Sequence, residues 1–369
     1  MTRPRIVALD DYFPSLDTGF RVAEFNWLLQ HDVLSTVHST IEPWGHLVGR
    51  YAESFPLLAD RLKPFGDHAL DGADGAYVTF LNNAALFLPN LKAADVPFVL
   101  QLYPGGGLHL DDSETTGKLR AVEDSGLLRS VIVTNRRVER WLHEHHPGLA
   151  PTVLIPGVVV DPAFLGPGPG TRRDYYPSGS ETLRLAFVAH KYSPDGRDKG
   201  FPDFVETVGI LLDQGLPVEA HVVGNFSSDD VGNHRGGRVM RFHGTQTPPG
   251  LKRILSSVDV VVSLNRPGVL HAGQFDGFPT GSVVTASLCG AAIVATDHWG
   301  ENCDYIEGRD IVIVPDEADA AASAITRLLE QRRLASLARF GLAASRRVYG
   351  IKNQLLPRKD VLLDAFCSS

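Results

Sequence analysis

The sequence predicts an α/β chain of two facing, doubly wound parallel-sheet domains, and three observations carry that expectation. Apolar runs of strand length alternate with helix-length segments along nearly all of the 369 residues, an order that specifies parallel strands wound with helices. The length exceeds the roughly 250 to 300 residues at which single hydrophobic cores stop growing, so two domains are expected. A stretch rich in Gly, Pro and Ser without apolar period, LGPGPGTRRDYYPSGSE at 165–181, divides the alternation into two series and reads as a linker.

The expected organisation is therefore a first α/β domain at 1–165, a linker at 166–181, a second α/β domain at 182–348 and a terminal segment at 349–369. In the first series, RIVAL (5–9), ended by Asp10 and Asp11, has the continuous apolarity of a buried parallel strand. In FRVAEFNWLLQ (20–30), positions 22, 25, 28 and 29 fall on one face of a helix. Strands are expected at 76–81, 98–103 and 130–134, with helices between them. The second series reads strand at 183–189, helix at 202–214, strand at 218–224, then RVMRFHG, a helix at 251–259 and a strand at 260–265. A helix at 282–289, a strand at 291–296, DIVIVP, an Ala-rich helix at 316–330 and a helical segment at 334–366 complete it. Two doubly wound domains of this kind leave a ligand cleft between them.

Composition narrows the function. Apolar residues at 43% and charged residues at 21% are those of an ordinary globular chain. A net charge of −8 with interspersed signs excludes a broad electrostatic footprint for nucleic acid, while leaving room for a local basic groove. Cys289, Cys303 and Cys367 form neither an even disulfide framework nor a paired zinc spacing, which points to a reducing, cytoplasmic compartment. The opening MTRPRIVALDD has too short an apolar run for a signal peptide, and no apolar window approaches about eighteen residues, so membrane contact is at most peripheral. Oligomeric state leaves no mark in the sequence.

The stretch with the most chemistry is HAGQFDGFPTGSVVTASLCGAAIVATDHWGENCDY (271–305), a Gly-rich, acid-bearing loop, then a short apolar helix, then a buried strand. Loop, helix and parallel strand in this order make an anion or nucleotide site, because the N–H groups of a helix start face the ligand. Phe278, Pro279, Thr280, Gly281 and Ser282 lead into that helix. Its dipole and free N–H groups suit a phosphate, although Thr280 or Ser282 also serves as a plain cap, and the two readings are compatible. Upstream, HKYSPDGRDKG places Lys191, Arg197 and Lys199 directly after a strand, and Gly224 ends the next one. Basic groups fixed there stabilise a departing diphosphate more in the transition state than in the ground state; the simpler alternative is an exposed charged loop.

In the first series, Gly19 at the turn into a helix either admits a ligand to the backbone or simply closes a loop. Gly105, Gly106 and Gly107 in PGGGLHLDD follow an apolar strand, where ligands of open sheets bind, and read as an acceptor-side loop or as a plain connection. His109 in that loop is a weak proton-carrier candidate. Asp297 at a strand end is equally well a turn residue. DEAD at 316–319 begins a helix rather than marking a helicase, since no phosphate loop of the G-x-x-x-x-G-K-[ST] type exists. His143, His145 and His146 are spaced so that their rings spread around a helix, so no metal site is expected of them.

FDGFP, a small-residue helix ending in CG and a strand ending in TD together resemble the donor-sugar signature of retaining GT-B glycosyltransferases, family 4 in particular. The resemblance extends over nearly all of 183–350 and is loose in the first domain. It implies a GT-B architecture of two Rossmann-like domains, with the terminal segment crossing back to the first. It also implies a basic residue at the end of the first strand and a Lys-Gly step holding the donor pyrophosphate, here Lys191 and Lys199, with Arg197 as neighbour. Asp276 takes the place of the first of the family's paired glutamates, which accepts hydrogen bonds from donor-sugar hydroxyls. Where the second glutamate binds ribose, this chain has Thr285, and the helix is shifted by one residue relative to Asp276. A hydroxyl there loses the charged bidentate bond.

The reaction so implied moves a sugar from a nucleotide-diphosphate donor to an acceptor hydroxyl of a glycan or glycosylated metabolite, with retention, without metal or cofactor, as in polysaccharide assembly. Two alternatives stand beside it: a sugar-nucleotide epimerase of the same fold, and a glycosyltransferase-like binding or scaffold protein without catalysis, which the loss of the second glutamate favours.

Overall fold

The computed structural model describes residues 3–165, 174–302 and 304–367; the first eight residues of the expected linker and Cys303 lie outside them. The chain divides into two compact units. Met1–Asp161, Gly273–Gly277 and Ile351–Ser369 form the first, and Pro162–Ala272 with Phe278–Gly350 the second.

The first unit carries β1 (Ile6–Asp10), β2 (Thr36–Ser39), β3 (Leu62–Pro64), β4 (Gly75–Thr79), β5 (Phe98–Leu102), β6 (Leu128–Val133) and β7 (Thr152–Leu154). They form one sheet in the order β3-β2-β1-β4-β5-β6-β7, and each pairing is parallel. All five residues of β1, β4 and β5 are buried, as strands covered on both faces must be. Between them run α1 (Gly19–Gln30), α2 (Trp44–Ser54), α3 (Leu81–Ala94), α4 (Ser113–Glu123) and α5 (Arg136–His145). Helix α1 is buried at every position from Arg21 to Leu29, so the single apolar face read from the sequence understates its burial. Its Phe25, Leu28 and Leu29 pack with Ile6, Tyr77, Val99 and Ile132 of the sheet.

The second unit begins with the short α6 (Pro162–Leu165) and carries β8 (Leu183–Val188), β9 (Val218–Val223), β10 (Met240–Phe242), β11 (Val260–Ser263), β12 (Ala292–Ala295) and β13 (Val312–Ile313). Their order is β10-β9-β8-β11-β12-β13, again parallel throughout. Helices α7 (Phe201–Asp213), α8 (Pro248–Leu255), α9 (Gly281–Leu288), α10 (Ala318–Glu330) and α11 (Leu334–Tyr349) connect or flank them. Alternate strand residues, Leu183, Leu185 and Phe187 among them, pack on Phe204, Val208 and Leu211 of α7 and on Ala321 and Ile325 of α10. The last helix, α12 (Ile351–Phe366), returns its Leu355, Leu362 and Phe366 to the core of the first unit.

The expected α/β class, with two doubly wound parallel sheets, is therefore what the chain forms. Several boundaries differ. The expected strand at 76–81 stops at Thr79, and Leu81 already belongs to α3. RVMRFHG is a strand only from Met240, because Arg235–Val239 is a 3-10 turn. Helix α8 begins at Pro248, whose fixed φ suits a first helical turn, and ends at Leu255 instead of 259. DEAD contributes only its last two residues to α10.

Candidate functional site

In an open α/β sheet the ligand crevice opens at the carboxyl ends of the strands where their order reverses. In the second unit that point lies between β8 and β11, and the loop leaving β8 is the basic one, residues 189–200. Both lysines there are held by aspartates. Lys191 Nζ lies 2.6 Å from Asp230 Oδ1, and its backbone N–H donates to Asn225 Oδ1 at 2.6 Å. Burial works against the charge of Asp230, but the bonds from Lys191 and Ser227 outweigh it and hold its pKa below the ordinary aspartate value. Asp230 also closes a capping box with Ser227 at the start of a short 3-10 turn.

Lys199 is 8% exposed and its ammonium sits over the Tyr192 ring at 5.2 Å. Beside it, Asp198 is wholly buried: Oδ1 accepts from the Ser193 N–H at 3.0 Å and hydroxyl at 2.5 Å. Asp198 Oδ2 accepts no hydrogen bond among the described residues and faces the Lys199 ammonium at 3.9 Å, an ion-pair distance. The Arg266 N–H donates to the Asp198 carbonyl at 3.0 Å, tying this turn to the segment after β11. Arg197, by contrast, pairs with Asp195 at 3.1 Å and its side chain is 59% exposed, more open than either lysine.

Gly224 is at φ +130, and a Cβ there would stand 1.8 Å from the Ala189 carbonyl oxygen. Close approach of the chain exiting β8 accounts for the glycine. Helix α9 starts at Gly281 after Thr280, whose side chain makes no capping bond; its hydroxyl pairs with that of Ser282 at 3.1 Å. The capping reading of Thr280 is thus not realised, and no side-chain cap satisfies the first N–H groups of this helix. Phe278 and Pro279 lead into it, Pro279 buried. Thr285 is 9% exposed and donates its hydroxyl to the Gly281 carbonyl at 2.8 Å, a bond back along its own helix.

In the first unit the order reverses between β1 and β4, and a polar cluster absent from the sequence reading occupies their ends. Asp10, the last residue of β1 and fully buried, accepts from the Tyr12 and Phe13 N–H groups, from Arg21 at 2.8 Å and from the Thr79 hydroxyl at 2.9 Å. Burial nonetheless raises its pKa, with Arg21 opposing. Asn83 and Arg21 also donate to Asp11, each at 3.1 Å. Gly19 opens α1 nearby in sequence; a Cβ there would meet no atom of the described residues within 4 Å, so none of them demands glycine at that point.

Gly105, Gly106 and Gly107 all have positive φ, at +83, +55 and +86. His109 follows, half-buried, its N–H donating to the Thr115 hydroxyl at 3.0 Å. The structure places Asp276 with this loop: its segment 273–277 belongs to the first unit, where the Leu110 N–H donates to the Gly273 carbonyl at 3.0 Å. Asp276 is thus grouped with Gly105–Gly107 and His109, whereas Lys191, Lys199, Gly224, Phe278–Ser282 and Thr285 are grouped in the second unit. Asp297 turns inward, accepting from the Glu301 and Asn302 N–H groups at 2.9 Å each, which is its turn role. His145 Nδ1 is bonded to the Trp141 carbonyl at 3.0 Å, and among the described residues no group of three or more His, Cys, Asp or Glu side chains is arranged to hold a metal ion. No described helix is long and apolar enough to cross a membrane.

Residues 183–331 match the family described as "Glycosyl transferases group 1". No curated protein matches the sequence. Among solved structures, HepE from Anabaena in complex with UDP and glucose is similar over 98% of this chain and 100% of its own, with a TM-score of 0.73 at 15% identity. Sucrose-phosphate synthase from Thermosynechococcus elongatus is similar over 99% of this chain and 100% of its own, with a TM-score of 0.66 at 14% identity. A glycosyltransferase from Rickettsia africae covers 100% of both chains at a TM-score of 0.61 and 12% identity. Residues 183–331 of the second unit thus match a glycosyltransferase family, and the whole chain has the two-sheet GT-B fold of these solved structures.

Proposed function

We propose that the protein transfers a sugar, with retention and without a metal ion, from a nucleoside-diphosphate donor to an acceptor hydroxyl. The observation that carries this reading is the basic loop at the switch point of the second unit, where Lys191 and Lys199 are each held by an aspartate. Fixed cations there offset the charge that grows on a leaving diphosphate, and they need no reorganisation during the reaction. In this reading the uncapped N–H groups at the start of α9 bind a phosphate, and Asp276 accepts hydrogen bonds from the sugar hydroxyls. A phosphate oxygen of the departing diphosphate takes the acceptor proton on the same face of the sugar, so no enzymic nucleophile is required. Retention and family 4 kinship rest on the FDGFP-to-CG signature. HepE has been solved with UDP, with UDP and glucose, and with UDP-glucose, which makes a UDP-sugar the first donor to try.

The test is slow donor hydrolysis followed by proton NMR in the presence of EDTA. Release of the sugar first as the anomer present in the donor, at a rate that EDTA leaves unchanged, supports the proposal. The inverted anomer, or turnover abolished by the chelator and restored by a divalent ion, overturns it. One observation favours a second reading, a donor-binding protein without turnover: the Thr285 hydroxyl is already engaged by its own helix. Tight nucleotide binding with no hydrolysis or transfer would select it.

A further inference from the structure

Resting on the sugar-binding role of Asp276, we propose that Gly273 is a positioning residue for donor recognition, its missing side chain setting where the Asp276 carboxylate stands. The support beneath the segment is closely packed. A Cβ on Gly106 would stand 2.2 Å from the Phe80 ring, and one on Gly107 2.0 Å from Asn82 Oδ1. The Asn82 N–H donates to the Gly106 carbonyl at 2.9 Å, and the Thr115 hydroxyl to that of Gly107 at 3.0 Å. Phe80 itself sits at φ +73, a conformation that a bulky residue keeps only when its surroundings impose it.

On this support Gly273 lies in direct backbone contact with Leu110 and His109. The Gly273 carbonyl accepts from the Leu110 N–H at 3.0 Å. A Cβ at Gly273 would stand 2.1 Å from the Leu110 oxygen, 2.7 Å from its nitrogen and 3.0 Å from the His109 carbonyl carbon. These are backbone atoms of a held loop, so they do not rotate out of the way as a side chain would. Any residue larger than glycine therefore lifts the segment, and Asp276, three residues on, with it. A shift of about 1 Å is enough to misalign a hydrogen-bonding carboxylate and to cost a rate factor on the order of a hundred. The lysines that would hold the diphosphate belong to the other unit and are not part of this packing.

The experiment compares wild type, Gly273→Ala and Asp276→Ala by calorimetric titration with UDP alone and with a UDP-sugar. The quantity of interest is the affinity gained by adding the sugar. The proposal predicts that Gly273→Ala binds UDP within about twofold of wild type and loses the sugar increment as fully as Asp276→Ala does, at least tenfold, which is about 1.4 kcal/mol. Retention of the increment in Gly273→Ala overturns the proposal. So does loss of UDP binding together with the increment, because Gly273 would then serve the fold and not the carboxylate. If wild type shows no sugar increment, or Asp276→Ala keeps it, the role of Asp276 itself fails, an outcome distinct from either.

Discussion

Replacing Arg358 by methionine should destabilise the first unit by about 3 to 5 kcal/mol, the usual cost of breaking a buried ion pair from one side. Arg358, in α12, is 0% exposed. It donates to Gln101 Oε1 at 3.1 Å, to the Gln354 carbonyl at 2.7 Å and Oε1 at 3.0 Å, and to the Tyr103 hydroxyl at 3.2 Å. Its charge lies 3.6 Å from Glu24, itself 1% exposed, whose carboxylate also accepts from the Tyr77 and Tyr103 hydroxyls. Methionine fills most of the volume, so the cost is electrostatic: Glu24 keeps a buried negative charge with two hydroxyl donors and no cation. Removing that charge as well, in Arg358→Met with Glu24→Gln, should restore about 1.5 kcal/mol or more relative to the sum of the single changes. Urea unfolding followed by tryptophan fluorescence reads this well, because Trp27, Trp44 and Trp141 lie in the first unit and Trp299 in the second. With a slope near 3 kcal/mol/M, the first transition of Arg358→Met should move down by roughly 1 to 2 M. An unchanged midpoint, or strict additivity in the double variant, would refute the view that α12 is locked to the first unit by a buried charge network.

Three further outcomes are expected. Gly224→Ala should destabilise the second unit by at least about 1 to 3 kcal/mol, since both its φ of +130 and the 1.8 Å approach to the Ala189 oxygen oppose a side chain; a wild-type melting curve would contradict this. Asp198→Ala should weaken nucleoside-diphosphate binding about tenfold or more by releasing the Ser193 bonds that shape the Lys199 turn, and calorimetry showing wild-type affinity would sink the idea. Stability should also fall in mild acid. Burial lowers the pKa of His221 and His243, whose ring nitrogens lie 3.0 Å apart, so the unfolded chain takes up protons first. Their contribution is complete above the unfolded histidine pKa near 6.5 and declines as pH drops below it, by at most about 1.4 kcal/mol per pH unit per group. His221→Gln should flatten the slope of the melting temperature between about pH 7 and 5, and an identical slope would argue against the pair as its source.

Much of the fold was legible because parallel strands covered on both faces are nearly uninterrupted apolar runs. IVALD, FVLQL and VVVS announce themselves in this way, and the Gly-rich loops after them mark the carboxyl ends. The strands the sequence reading passed over, TVHS, LKP and TVL, are three or four residues long and polar in part, since β3 and β7 close the sheet edges and β2 adjoins one. The lysines of the basic loop could be found from their place after a strand. Their partners could not: Asp230 is 39 residues from Lys191, and Asp198 looks like one more acid of a charged turn until its burial is seen. Asp10 and Arg21 were hidden for the same reason, because an acid closing a strand has no local signature of what will donate to it. The grouping of Asp276 with the Gly105–Gly107 loop crosses more than 160 positions and depends on Gly273, which in sequence is one glycine among 36.

The central claim, that the basic loop at the switch point of the second unit binds a nucleoside diphosphate, is tested most directly by calorimetric titration of wild type and Lys199→Ala with UDP and the other common nucleoside diphosphates. Saturable binding of one of them, weakened at least about tenfold by the lysine change, is the predicted result. Equal affinity in the two proteins, or no binding of any nucleotide to wild type, would contradict it.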